Sequence, residues 1–224
     1  HKQANVYVHT PYFINFASTN KRIYKGSIEI VRSELERASQ ISAKAVMTHL
    51  GSAKDHDDET AAAKQVAQSI AAIVKGYKGS SQMLLEISAG SGKVIGDTFE
   101  EVATILKTPG VKNKNVGVCF DTAHAFASGY DLRTKKDVDD TFKKFDKAIG
   151  LKNLVLIHAN DSRVDFDSHV DRHWHIGKGK IGLAGFKQIV VWAKKIGADL
   201  ILETPEENMD KKNINVLKKL RNNI

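Results

Sequence analysis

An alternation restricts this chain more than any other feature. Short runs rich in Val, Ile and Leu recur along it, at 5–8, 45–48, 83–87, 116–120, 154–157 and 200–202. Longer amphipathic stretches separate them, and the spacing predicts helices over 27–40, 58–76, 97–107, 135–149, 183–195 and 210–221. In 58–76 the residues Ala62, Val66, Ser69, Ile70 and Ile73 fall on one helical face, and Asp97 stands as a cap ahead of the third helix. A strand followed by a helix, repeated in series, builds a parallel sheet covered by helices. The expected fold class is therefore α/β, a TIM (β/α)8-type barrel, with six βα units readable. A closed eight-stranded barrel needs two more units. No low-complexity tract or Pro-rich linker divides the chain, so residues 1–224 are expected to form a single barrel domain.

The residue that closes each apolar run is unusual. His9 follows the first run, His49 the second, and Glu86 lies in the third. The fourth runs into Asp121, with His124 three residues on; the fifth runs into His158; the last ends in Glu203. A lone histidine beside a strand is most often a hydrogen-bonded rim residue. Six strands in six is a different pattern, because the C-terminal ends of barrel strands converge on one mouth. Imidazoles and carboxylates gathered there repel or stay unsatisfied unless cations bind them. His with Asp and Glu, without a cysteine ligand, suits Zn²⁺ or Mn²⁺. A further Asp171–x–His173 pair lies in a segment that also carries Lys178 and Lys180 among Gly177, Gly179 and Gly182. Those glycines permit close backbone approach to a phosphate that the lysines would neutralise; a solvated loop is the equal alternative.

Charge and cysteine content narrow the class. A net charge of +8 favours a polyanionic partner over a neutral one, although solvated lysines alone explain it equally well. The single cysteine, Cys119, excludes an internal disulfide. No apolar run is long enough for a transmembrane helix, which needs about 18 residues or more, and the opening residues lack the apolar core of a signal peptide.

Several blocks together resemble the endonuclease IV family. They are GVCFDTAHAFASGYDLRT (117–134), IHANDS (157–162), VDRHWHIGKGKIG (170–182) and LLEISAGSGKVIG (84–96). HTPYFIN (9–15), THLGS (48–52) and LILETP (200–205) follow in the family's order. The resemblance implies a zinc-dependent TIM barrel holding three ions, with manganese at one or more sites as the variant. It assigns His9, His49 and Glu86 to one ion. Glu86, Asp121, His158 and Glu203 go to a second, with Glu86 bridging, and His124, Asp171 and His173 to the third. Glu86 and Glu203 are the carboxylates it makes catalytic. The implied reaction is hydrolysis of the phosphodiester 5′ to an abasic site in double-stranded DNA, leaving a 3′-hydroxyl and a 5′ deoxyribose phosphate. Tyr12 and Phe13 fall at wedge positions that fill the gap left by the lost base, although core filling is equally open for Phe13. Arg172, Lys178 and Lys180 are the expected phosphate contacts. The resemblance also implies about two βα units ahead of His9, at roughly thirty residues each, and a monomer that self-associates if sheet edges are bare. The expected location is the cytoplasm, or wherever the cell keeps its DNA. Two other readings remain: a metal-dependent sugar isomerase or epimerase on the same barrel, and a catalytically inert DNA-binding fragment.

Overall fold

The structure, a computed structural model, describes residues 5–112 and 115–223. Six strands occupy one sheet: β1 (Tyr7–His9), β2 (Ala45–Thr48), β3 (Gln82–Glu86), β4 (Val116–Asp121), β5 (Leu154–His158) and β8 (Asp199–Ile201). Their order in space is their order in sequence, β1-β2-β3-β4-β5-β8. Pairing is parallel between β1 and β2, between β2 and β3, and between β5 and β8. The four inner strands carry the buried Val, Leu, Ile and Met expected of parallel strands covered on both faces, whereas the two end strands are only partly buried.

The helices are α1 (Lys21–Gln40), α2 (Glu59–Val74), α3 (Phe99–Lys107), α4 (Thr122–Ala127), α5 (Lys135–Ala148), α6 (Gly182–Ile196) and α7 (Asp210–Asn222). Helix α1 begins six residues before the predicted start at 27. Asn20 caps it, its side-chain oxygen accepting the N–H groups of Arg22 and Ile23. Asp58 caps α2 through Thr60 N–H. Helix α3 begins at Phe99, two residues past Asp97, and the Phe99 N–H is taken by the Tyr130 hydroxyl. Helix α4 and the antiparallel ribbon of β6 (Asp161–Ser162) and β7 (His173–Trp174) were not predicted.

The chain forms two compact units. The first takes in the chain up to Glu86 with Gly92–Gly96 and Glu100–Val118; the second takes in Ile87–Ser91, Asp97–Phe99 and Cys119 onward. In the first, α1 and α2 bury Val31, Leu35, Val66, Ile70 and Ile73 beside Val46 and Met83. In the second, Phe99, Phe120, Phe142 and Phe145 form a chain of ring contacts, and Phe142 stacks on Trp192 of α6 with centroids 5.1 Å apart. Burying such a ring is worth about 2–3 kcal/mol. Asp139 of α5 joins the helices by accepting hydrogen bonds from Gln188 and Trp192. Burial tends to raise its carboxyl, but those bonds and one from Lys135 win and hold it at about 2.

Candidate metal centre

The strand ends carry the side chains that the sequence pattern picks out. His9, Glu86, Asp121 and His158 are the last residues of β1, β3, β4 and β5, and His49 follows β2 directly. Glu203 lies two residues past β8. Burial is extreme for ionisable groups at Glu86 and Asp121 (0% exposed), His158 (1%) and His124 (2%), whereas His9, His49 and Glu203 are partly open to solvent.

In the first unit, Glu86 meets two imidazoles. His9 Nε2 lies 2.9 Å and His49 Nε2 3.8 Å from the same oxygen, Glu86 Oε2, and the two rings are 5.3 Å apart. These three residues offer donor atoms within 4.8 Å of one another, the spread one divalent ion spans. His9 Nδ1 donates to the Thr10 carbonyl at 2.6 Å, so Nε2 is the nitrogen left to face an ion.

In the second unit, His158 Nδ1 lies 2.9 Å from Glu203 Oε2 and 3.7 Å from Asp121 Oδ2. Asn160, fully buried, holds both carboxylates. Its amide nitrogen donates to Asp121 Oδ2 at 2.6 Å and reaches Glu203 Oε2 at 3.4 Å, while its carbonyl accepts Glu203 N–H at 2.8 Å. Sequence reasoning missed Asn160 as a site residue. Its signal is its place in IHANDS, two residues past the candidate ligand His158.

The remaining predicted ligands also meet in the second unit. His124, in the first turn of α4, has its N–H taken by Asp121 Oδ1 at 2.8 Å, so a candidate ligand also caps the short helix. His124 Nε2 lies 3.2 Å from Asp171 Oδ2, and His173 Nε2 3.4 Å from Asp171 Oδ1. His124 Nδ1 donates to the Ile87 carbonyl and His173 Nδ1 to the Glu203 carbonyl, both at 3.0 Å. A carbonyl only accepts, so both protons sit on Nδ1 and neither Nε2 carries one in the neutral tautomer. Those nitrogens lie 3.2 Å apart. Two lone pairs that close repel. A cation bound by both relieves this, and each Nδ1–H bond to a carbonyl is the outer support that orients a ligating imidazole. The donor set therefore fits the ions that the pattern implies.

The predicted DNA contacts are exposed. Tyr12 is 89% and Phe13 57% exposed, while neighbouring Ile14 and Phe16 are buried. Core filling falls to those neighbours, which excludes it for Phe13. Arg172, Lys178 and Lys180 lie on the surface, with Lys180 paired to Asp165 at 2.8 Å.

The glycine loop differs from expectation. The N–H groups of Gly177, Gly179, Ile181 and Gly182 turn inward onto the Asp161 carboxylate, with the shortest contact at 2.9 Å, and Ser162 N–H joins them. The glycines therefore give their N–H groups to a buried carboxylate. A Cβ on Gly179 would collide with the Ser162 carbonyl and with Asp161. Burial raises the Asp161 carboxyl, opposed by the N–H donors of Gly179, Ser162, Ile181 and Gly182. Since β6 and β7 pair Asp161 with Trp174 and Ser162 with His173, this carboxylate anchors the segment that follows His173. Asp161→Asn turns an amide donor toward several N–H groups. It should lower stability by about 2 kcal/mol in urea unfolding; an unchanged midpoint would show that the anchor is dispensable.

Among known proteins, the family described as a xylose isomerase-like TIM barrel matches residues 1–220. A probable endonuclease 4 of Nitrosopumilus maritimus is 38% identical over 197 residues, covering 88% of this chain and 70% of its own. The crystal structure of endonuclease IV from Thermus thermophilus superposes with a TM-score of 0.84 at 27% identity, over 98% of this chain and 77% of that one. A D-tagatose 3-epimerase-like protein shares the fold at TM-score 0.79 and 24% identity, over 99% of this chain and 80% of that one.

Proposed function

Because the chain belongs to the endonuclease IV family of xylose isomerase-like TIM barrels, we propose that it hydrolyses the phosphodiester 5′ to an abasic site in duplex DNA. The products are a 3′-hydroxyl and a 5′ deoxyribose phosphate. The observation that supports this best is the meeting of the His124 and His173 Nε2 atoms, 3.2 Å apart beside the Asp171 carboxylate, with both Nδ1 atoms turned to carbonyls, a donor set that suits a cation. A sugar epimerase on the same barrel also needs strand-end carboxylates. It has no use for exposed Tyr12 and Phe13 or for a +8 chain.

The residues divide the work. His9, His49 and Glu86 hold one ion; Asp121, His158 and Glu203 hold a second with Glu86; His124, Asp171 and His173 hold the third. Zn²⁺ suits this nitrogen–oxygen set, with Mn²⁺ as the competitor. When bound, such ions supply Lewis acidity at the attacked phosphate and a water whose pKa falls to about 7. Glu86 and Glu203 are the catalytic carboxylates because they fix the donor geometry around the reacting phosphate. Asn160 keeps Asp121 and Glu203 in position. Tyr12 and Phe13 fill the gap where a base is missing, which costs less to open because stacking is already lost. Arg172, Lys178 and Lys180 neutralise phosphates along the strand. The chain works as a monomer in the compartment that holds the DNA. Among the described residues no helix is long and apolar enough to cross a membrane.

The test is a labelled duplex with one tetrahydrofuran abasic analogue, incubated with the zinc-loaded protein. That analogue cannot undergo β-elimination, so only hydrolysis cuts it. A single cut on its 5′ side is expected. An intact duplex at full metal occupancy would leave the inert DNA-binding reading or the epimerase reading in its place.

A further inference from the structure

The β6–β7 ribbon builds a feature that the ligand assignment does not use. A cleft of about 380 Å³ in the second unit is lined by the proposed ligands Asp171, His173 and Glu203 together with Arg163, Arg172 and Trp174. The two arginines are cross-ribbon neighbours, since Arg163 N–H donates to the Arg172 carbonyl at 2.9 Å. The Arg163 guanidinium lies over the Trp174 ring, 4.9 Å from its centroid. Arg172 is steadied by a bond from its guanidinium to the Asp171 carbonyl at 2.6 Å. Among the described residues neither guanidinium has a carboxylate partner, whereas Arg32 and Arg133 both do.

Two guanidinium groups without carboxylates, beside metal-competent side chains, suit an anion that offers two oxygens to each planar fork, and a phosphate does so bidentately. The indole with an arginine laid on it offers a flat slab, on which a nucleobase stacks without sequence preference. A sugar substrate would use neither the slab nor two unpaired cations. We propose that this cleft is a nucleotide subsite, in which Arg163 and Arg172 hold the phosphate and the Trp174–Arg163 slab stacks the base of the intact nucleotide next to the abasic sugar on the cut strand. This rests on the nuclease reading for the identity of the strand, but the groups it invokes, Arg163, Arg172 and Trp174, lie outside the ligand set.

The chain has two tryptophans, so Trp192→Phe leaves Trp174 as the sole indole reporter. Trp192 stacks on Phe142 in the core, where phenylalanine preserves the ring contact and loses the hydrogen bond to Asp139, which Gln188 and Lys135 still hold. Two duplexes are compared. One carries a single tetrahydrofuran site between normal neighbours; the other has the flanking bases on that strand removed as well. The zinc-loaded Trp192→Phe protein should show Trp174 fluorescence quenched by the first duplex and much less by the second. The parent chain should cut the first with a kcat/KM about tenfold higher, the size of one stacked base. Trp174→Ala should bring that ratio near one, while Trp174→Phe keeps part of it. Arg163→Gln should lower affinity for both duplexes and reduce the slope of log Kd against log salt by about one.

Equal cutting of the two duplexes by the parent, or an unchanged ratio in Trp174→Ala, overturns the subsite while leaving the nuclease intact. If the parent cuts nothing, the nuclease reading fails and fluorescence alone decides. Quenching that depends on the flanking bases would still support the subsite; quenching by neither duplex would assign Trp174 to packing Arg163.

Discussion

Glu86→Gln should abolish cutting of the tetrahydrofuran duplex, by roughly a thousandfold or more, while the chain remains folded. The two halves of this expectation have separate causes. Glu86 is wholly buried at the end of β3, against His9 and His49. With His9 Nδ1–H committed to the Thr10 carbonyl, its Nε2 is the atom that faces Glu86 Oε2. Glutamine keeps the volume, and its amide offers both a donor and an acceptor to that nitrogen, so the local packing and the β2–β3 ladder survive. What it loses is the negative charge that makes the oxygen a strong ligand. The signature in stability is a reversal. Without metal, the variant should unfold at the same temperature as the parent or higher, because a buried charge has gone. With zinc, it should unfold at a lower temperature, because ion binding no longer favours the folded state as strongly. Near-normal turnover by Glu86→Gln would remove Glu86 from the chemistry.

Stripping the ions with a chelator should have an effect of similar size on activity and a larger one on stability. Buried carboxylates and imidazoles with facing lone pairs are costly in the free protein, so each bound ion stabilises the fold. A site filled at a concentration a hundred to a thousand times its dissociation constant adds about 2.7–4 kcal/mol. Three sites at that level rival the whole stability of an ordinary domain. Calorimetry with and without zinc measures the difference, and elemental analysis counts the ions. Three per chain is the expected number. One per chain would fit a mononuclear epimerase-type site and would sink the assignment of His124, Asp171 and His173. Re-addition of zinc should restore cutting; re-addition of manganese tells which ion the nitrogen-rich sites tolerate.

Much of this is legible in the residues. The six strands of the main sheet lie within one or two residues of the apolar runs, because strands covered on both faces are written as uninterrupted Val, Ile and Leu. The metal-competent residues stand out because they interrupt or end those runs. Short-range capping and compact local structure are harder to see. The start of α1 escapes the pattern since Asn20 caps a first turn, KRI, that carries no apolar stripe. Helix α4 escapes it because all six of its residues are buried, so no polar face alternates with an apolar one. The β6–β7 ribbon has two residues per strand, too short for any period to show. Asn160 and Asp161 look alike in sequence as polar residues in a loop. One steadies two proposed ligands and the other gathers the N–H groups of a turn some twenty residues away, a difference that only tertiary contacts create. The glycines of 177–182 suggest a phosphate because glycine marks close approach without saying to what.

The neighbour order of the main sheet equals the order of synthesis. Each strand after β1 therefore finds one neighbour already made when the ribosome adds it. Such growth keeps the loops to be closed short, which favours folding during translation over folding after it. The proposed ligands emerge along the same line, His9 first and Glu203 last. An ion bound early would be held by an incomplete set and exchange readily. Tight retention would come only once β8 has docked, so a nascent chain stalled before Glu203 should release zinc far faster than the finished one.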